Sequence, residues 1–207
     1  MEQLPLEITA AADPTFENFV PGSNAEALER VRSLAAGRLR EEVIYLWGEP
    51  GSGRTHLLRA AARANPSLAT ADDVARLDAA GQQALFSAIN AARDAHGAVL
   101  AAGDAPPAQL ALRDDLKSRL AWGLVYQLRP LSDADKALHL RAEAARRGLE
   151  LADEVVWYLL NRLPRDLPRL NATLDLLDRY SLSRQRHITL PLVREALASV
   201  DGETRRQ

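Results

Sequence analysis

The run Gly48-Glu49-Pro50-Gly51-Ser52-Gly53-Arg54-Thr55 has the residue types and spacing needed to hold a phosphorylated ligand. It fits the G-x-x-x-x-G-K-[ST] pattern, except that arginine stands where lysine is usual. Gly48, Gly51 and Gly53, with Pro50 and Ser52 between them, let successive backbone N–H groups turn inward around phosphate oxygens. A helix starting near Arg54 adds the positive end of its dipole, and the Thr55 hydroxyl is a ligand for Mg²⁺. Arg54 neutralises phosphate, but its planar fork is bulkier than an ammonium point charge and need not reproduce the lysine geometry at the β and γ phosphates. The loop therefore predicts binding of ADP or ATP more firmly than hydrolysis; the plain alternative is a strand-to-helix turn that binds nothing. A second acidic element is expected at the end of another strand, holding Mg²⁺ through water. The candidate is Asp72-Asp73, after the weak strand Leu68-Ala69-Thr70-Ala71, although Asp73 serves equally well as the cap of a following turn.

The surrounding elements suit that chemistry. Val43-Ile44-Tyr45-Leu46-Trp47 is an apolar strand running straight into the loop, and a helix over 55–64 leaves it. A helix over 24–36 is capped near Ser23 or Asn24 and stopped by Gly37. A helix over 79–95, a strand over 98–102, a turn over 103–107, a short helix over 113–119 and a strand over 123–128 complete an alternation typical of a parallel sheet. Beyond Pro130 the pattern becomes wholly helical. Ser132-Asp133 caps a helix reaching Arg147 with Gly148 as its stop, and helices over 152–163, 166–180 and 191–200 repeat leucines every three or four residues. The expected organisation is a tail over 1–12, an α/β nucleotide domain over 13–130 and an all-α domain over 131–207.

Composition removes other chemistries. The 207 residues include no cysteine, which excludes disulfides, thiolate zinc sites and a cysteine nucleophile. His56, His96, His139 and His187 lie far apart, so they form no metal-ligand pattern. A net charge of −2 gives no general electrostatic reason to bind nucleic acid. No stretch has the length of an apolar membrane span, and the N-terminus lacks a signal-peptide pattern, so the expected compartment is the cytoplasm with no membrane partner.

Four segments resemble the DnaA-like AAA+ family, and more closely its shorter Hda branch of regulatory inactivators. Thr15-Phe16-Glu17-Asn18-Phe19-Val20 is similar to the segment that shapes the adenine pocket, and Gly53-Arg54-Thr55-His56-Leu57-Leu58 to the family's P-loop. Gly103-Asp104-Ala105-Pro106-Pro107-Ala108-Gln109-Leu110 resembles its sensor-one segment. Leu116-Lys117-Ser118-Arg119-Leu120-Ala121-Trp122-Gly123 resembles the segment carrying its arginine finger. The resemblance implies an α/β AAA+ fold with a helical lid and nucleotide between the two. It places Phe19, Val20, His56, Asp104 and Arg169 near that nucleotide, and it directs Arg119 at nucleotide on a neighbouring molecule. The alternative for Arg119 is an ion pair with Asp115, four residues earlier on a helix.

The resemblance further implies particular partners. Gln3-Leu4-Pro5-Leu6-Glu7-Ile8 resembles the tail with which Hda docks on the DNA polymerase III sliding clamp, its β subunit. Extended, it puts Leu4, Leu6 and Ile8 on one face for an apolar groove, with Gln3 making polar contacts; the alternative is a tail packed on its own domain or unstructured. DnaA continues past its lid into a DNA-binding domain, whereas this sequence stops soon after Val200, so DNA is expected only indirectly, through the clamp. Two departures matter. Only 16 residues separate Thr55 from Asp72, where the family carries another strand and helix, so the sheet is expected to be shortened. At the sensor-two position of the lid stands Pro168, with Arg169 beside it and Arg165 nearby.

The leading functional expectation is a negative regulator of replication initiation that docks on the clamp and supplies Arg119 in trans to ATP held by DnaA, its own hydrolysis being weak or absent. The alternatives are a stand-alone ATPase of the helicase-loader kind, or an adaptor independent of nucleotide. A homo-oligomer is compatible with each.

Overall fold

β1 (Val43–Trp47) is apolar throughout because it lies in the middle of a sheet and is covered on both faces. The computed structural model describes residues 13–95, 97–163 and 167–204. It places β1 between β3 (Val99–Gly103) and β4 (Leu124–Gln127), with β2 (Ala69–Ala71) beyond β3, in the order β2-β3-β1-β4. Every pairing is parallel; Tyr45 lies opposite Ala101 on one side and Val125 on the other. The strand period of two then divides the core. Ile44 and Leu46 join Val31, Leu34, Leu57 and Leu58 from α1 (Ala25–Ala35) and α2 (Arg54–Ala64) on one face. Val43 and Tyr45 join Leu85, Ile89, Leu116 and Leu120 from α3 (Ala79–Ala95) and α4 (Asp114–Trp122) on the other.

The short connection after the phosphate loop runs from α2 directly into β2, leaving a four-stranded sheet whose outer strands are β2 and β4. β1 keeps a parallel partner on each side, β3 and β4. Two sequence expectations need correction in detail. The helix expected over 113–119 runs three residues further, to Trp122, and turns into β4 at Gly123, where any Cβ would stand 2.0 Å from the Val43 carbonyl oxygen. Asn24 does not cap α1 with its side chain. Its amide instead donates to the Arg129 carbonyl at 2.8 Å and accepts from the Arg129 N–H at 2.9 Å, tying the start of α1 to the end of β4.

The described residues divide into two units, Asp13–Leu131 and the helical part from Ser132 onward. The helical unit holds α5 (Asp133–Arg146), α6 (Asp153–Arg162), α7 (Leu167–Arg184) and α8 (Leu190–Thr204). Ser132 and Asp135 form a reciprocal capping box at the start of α5, and Gly148 follows it at φ +73°. Leu140, Val156, Leu160, Leu170 and Leu174 form one apolar cluster, and Val155, Leu159, Leu177, Val193 and Ala196 a second. No helix among the described residues is long and apolar enough to cross a membrane.

Candidate functional site

The phosphate loop leaves the C-terminal end of β1, the buried central strand, and enters α2 at its N-terminus. Gly51 and Gly53 adopt φ +81° and +96°, a left-handed backbone that turns N–H groups into the loop's concavity. Gly48 is required by space: a Cβ there would stand 2.2 Å from the Leu128 carbonyl oxygen. The N-cap of α2 is Gly53, which has no side chain, so the first-turn N–H groups of the helix are left for a ligand. Two side chains around the loop carry buried polar atoms without a hydrogen-bond partner, the Ser52 hydroxyl and Nη1 of Arg54. Unsatisfied buried donors are costly, and here they sit beside a helix N-terminus in a loop shaped for an anion. The residues present therefore fit a phosphate group.

The segment before α1 closes over this loop. Phe19 is buried, its ring packs against Gly53 so closely that a Cβ there would stand 2.6 Å from Cε2, and it meets His56 edge to face at 5.3 Å. His56 Nε2 is 2.8 Å from the Thr15 carbonyl oxygen, while Thr15 and Asn18 exchange side-chain and backbone hydrogen bonds that shape the turn. Val20 follows Phe19 half-buried. Phe19 and His56 are thus brought to the phosphate loop together.

Thr55 and Asp72 also meet. The Thr55 hydroxyl donates to Asp72 Oδ2 at 2.6 Å, although the two lie 17 positions apart. The three-residue β2 is enough to carry Asp72 there because it pairs in parallel with β3. Asp73 occupies the N-cap position of a short 3-10 turn over 74–76 in a left-handed conformation, φ +46°, yet its side chain makes no capping bond; its N–H donates to Asp72 Oδ1 at 2.9 Å. Among the described residues no three histidine or carboxylate side chains cluster as a metal cage. A cation here would therefore draw on Thr55 and Asp72 together with phosphate oxygens and water.

At the end of β3, Asp104 is exposed. The neighbouring turn is pinned by Tyr45, fully buried, whose hydroxyl donates to the Ala105 carbonyl at 2.8 Å. Burial, and next the charge of Asp104, push the Tyr45 hydroxyl well above its ordinary range, and Arg54 opposes them. Tyr45 therefore stays a neutral donor and senses both charged groups of the loop region. Sequence reading treated it only as part of a strand.

Arg119 does not pair with Asp115. That carboxylate is taken by Arg113, whose Nε and Nη2 donate to it at 3.1 and 2.5 Å and hold it below the usual carboxylate range. The Arg119 guanidinium instead lies 4.1 Å from the ring centroid of Trp122 and 5.1 Å from that of Phe86, with its Nε buried and unpartnered. The ion-pair alternative is thereby removed. Trp122 was within reach of sequence reasoning, three residues on along a helix; Phe86, on α3, carried no local signal.

Residues 11–79 match the family described as the bacterial DnaA ATPase domain, and residues 133–197 the family described as the Hda lid domain. The chain thus carries a DnaA-type ATPase segment followed by an Hda-type lid. Solved structures agree with this fold. Domain III of the Thermotoga maritima replication initiation protein DnaA is 23% identical with a TM-score of 0.70, covering 91% of this chain and 97% of that one. AMPPCP-bound DnaA from Aquifex aeolicus is 22% identical with a TM-score of 0.66, over 80% of this chain and 65% of that one. A Thermotoga maritima RuvB mutant is 15% identical with a TM-score of 0.64, over 90% and 72%. In this DnaA-like chain Arg169 lies exposed on α7 in the first turn after Leu167, within the helical unit. The docking-tail residues Gln3, Leu4 and Leu6, and Arg165, lie outside the described residues.

Proposed function

We propose that this chain is a cytoplasmic, nucleotide-binding negative regulator of replication initiation that promotes hydrolysis of ATP held by DnaA. A role connected with initiation accords with the matches of its two parts to the DnaA ATPase and Hda lid families. ADP or ATP binds at the phosphate loop through the N–H groups of 51–55, Ser52, Arg54 and Thr55, with Phe19, Val20 and His56 near the base and Asp104 near the terminal phosphate. Mg²⁺, held by Thr55 and Asp72 with Asp73 close by, supplies charge neutralisation on the phosphates when bound. The tail through Gln3, Leu4 and Leu6 docks on the polymerase III sliding clamp, which brings the chain to DNA.

The observation that carries the reading is the state of Arg119: a half-buried guanidinium with no carboxylate partner among the described residues, stacked beside exposed Trp122. A cation so placed is available to a phosphoryl group on a second protein, and an arginine supplied in trans raises hydrolysis by about 10³ to 10⁵-fold. The deciding experiment measures hydrolysis of DnaA-bound ATP in the presence of clamp-loaded DNA. Arg119→Ala is expected to abolish stimulation while clamp and nucleotide binding persist, and a Gln3→Ala, Leu4→Ala double variant to lose it through the clamp. Equal stimulation by Arg119→Ala sinks the proposal.

A further inference from the structure

The seam between α3 and α4 carries an alternation of arginines and aromatic rings. Leu85, Ile89 and Ala92 turn α3 inward, and Leu116 and Leu120 do the same for α4. Phe86 and Arg93, two turns apart on α3, and Arg119 and Trp122, one turn apart on α4, are left along the flanks of these buried stripes. Arg119 stacks against both rings, Arg93 lies 5.3 Å from the Trp122 centroid, and Arg113 lies 5.5 Å from that of Phe86. Gly123 admits no side chain against Val43, which fixes the backbone that carries Trp122.

Resting on the reading of Arg119 as a finger, we propose that Trp122 and Phe86 are its positioning residues and that Arg113 protects it by sequestering Asp115. The physical reason lies in how each partner engages a guanidinium. A carboxylate consumes the in-plane N–H fork, the same donors a phosphoryl group needs, whereas an aromatic ring holds the cation through its face and leaves the fork free. Asp115 stands four residues from Arg119, the spacing at which a helix pairs opposite charges. Arg113 prevents that capture with two hydrogen bonds to the carboxylate, and it is itself anchored by donating to Gln83 Oε1 at 2.6 Å. The finger is therefore held in place and kept unpaired by different residues.

The experiment is single-turnover hydrolysis of DnaA-bound ATP on clamp-loaded DNA, titrated with each variant, with folding checked by circular dichroism. Trp122→Leu and Phe86→Leu are expected to lower the maximal rate about tenfold without moving the half-saturating concentration, and Trp122→Phe to restore most of it. Arg113→Ala is expected to fall by a similar factor and to recover when Asp115→Asn is added. If Arg119→Ala is inactive while the leucine variants keep the full maximal rate, or lose only apparent affinity, the positioning role is overturned and the finger stands. Failure of Asp115→Asn to rescue Arg113→Ala overturns the sequestering role. If wild type and Arg119→Ala stimulate equally, the finger reading itself falls and takes this inference with it.

Discussion

At the scale of single residues, the loop's glycines separate backbone demand from spatial demand. Gly37, after α1, has φ +65° and open space where a Cβ would go, so Gly37→Ala carries only the backbone cost, about 1 kcal/mol. Gly53 has φ +96° and the buried Phe19 ring against it, so alanine there adds a clash that Phe19 escapes only by leaving His56. Gly53→Ala is expected to cost about 2–4 kcal/mol in urea unfolding and to weaken nucleotide binding, since the phosphate loop and the segment over it move together. A cost for Gly53→Ala no larger than that for Gly37→Ala means that the Phe19 contact is loose. The glycine pattern was legible in the sequence because it is local. Phe19 against Gly53 was not, since the two lie 34 positions apart and no periodicity links them.

At the scale of elements, a charge network ties helices of the helical unit together. Arg147, on the residue after α5, reaches Asp175 on α7, its Nη2 donating at 2.7 Å, and also binds Glu143, which Arg146 binds too. Arg146 is solvated at the end of α5, whereas Arg147 is mostly buried and links α5 to α7. The hydrogen bond from Arg146, and then the charge of Arg147, hold Glu143 below the ordinary carboxylate range despite the opposing effect of its burial. A carboxylate whose folded pKa is depressed contributes stability that is present above its unfolded value and is lost as pH falls through the folded one. Wild-type stability is therefore expected to fall as pH drops below about 4, and Glu143→Gln to be less stable at pH 7 with a shallower acid limb. Parallel acid limbs in denaturant titrations of the two proteins rule Glu143 out as a contributor.

At the scale of the whole molecule, the alternation of strands and helices was a good guide to a parallel sheet because strands joined by helical connections admit few arrangements. The β1–loop–α2 unit, the parallel sheet and the four later helices were all readable from period and punctuation. What the sequence could not supply was convergence: Asp72 on Thr55 through a strand too short to announce itself, and Asn24 on Arg129 across 105 positions. Those long-range ties determine how far ligand binding stabilises the fold. The phosphate loop joins β1 to α2, and both contribute to the same apolar cluster, Ile44 and Leu46 with Leu57 and Leu58. A nucleotide that binds only the folded loop therefore stabilises the 13–131 unit by RT ln(1 + [L]/Kd), about 2.7 kcal/mol at a hundredfold excess over Kd. ADP or ATP is expected to raise the thermal midpoint of wild type in a concentration-dependent way, and to leave a Ser52→Ala, Arg54→Ala double variant unmoved. That variant removes the two unpartnered groups at the loop, so it should lose no internal hydrogen bond and keep its ligand-free midpoint close to wild type. A variant that still shifts with nucleotide shows that the backbone cradle alone holds the phosphates; a wild type that never shifts leaves the loop as a turn without a ligand.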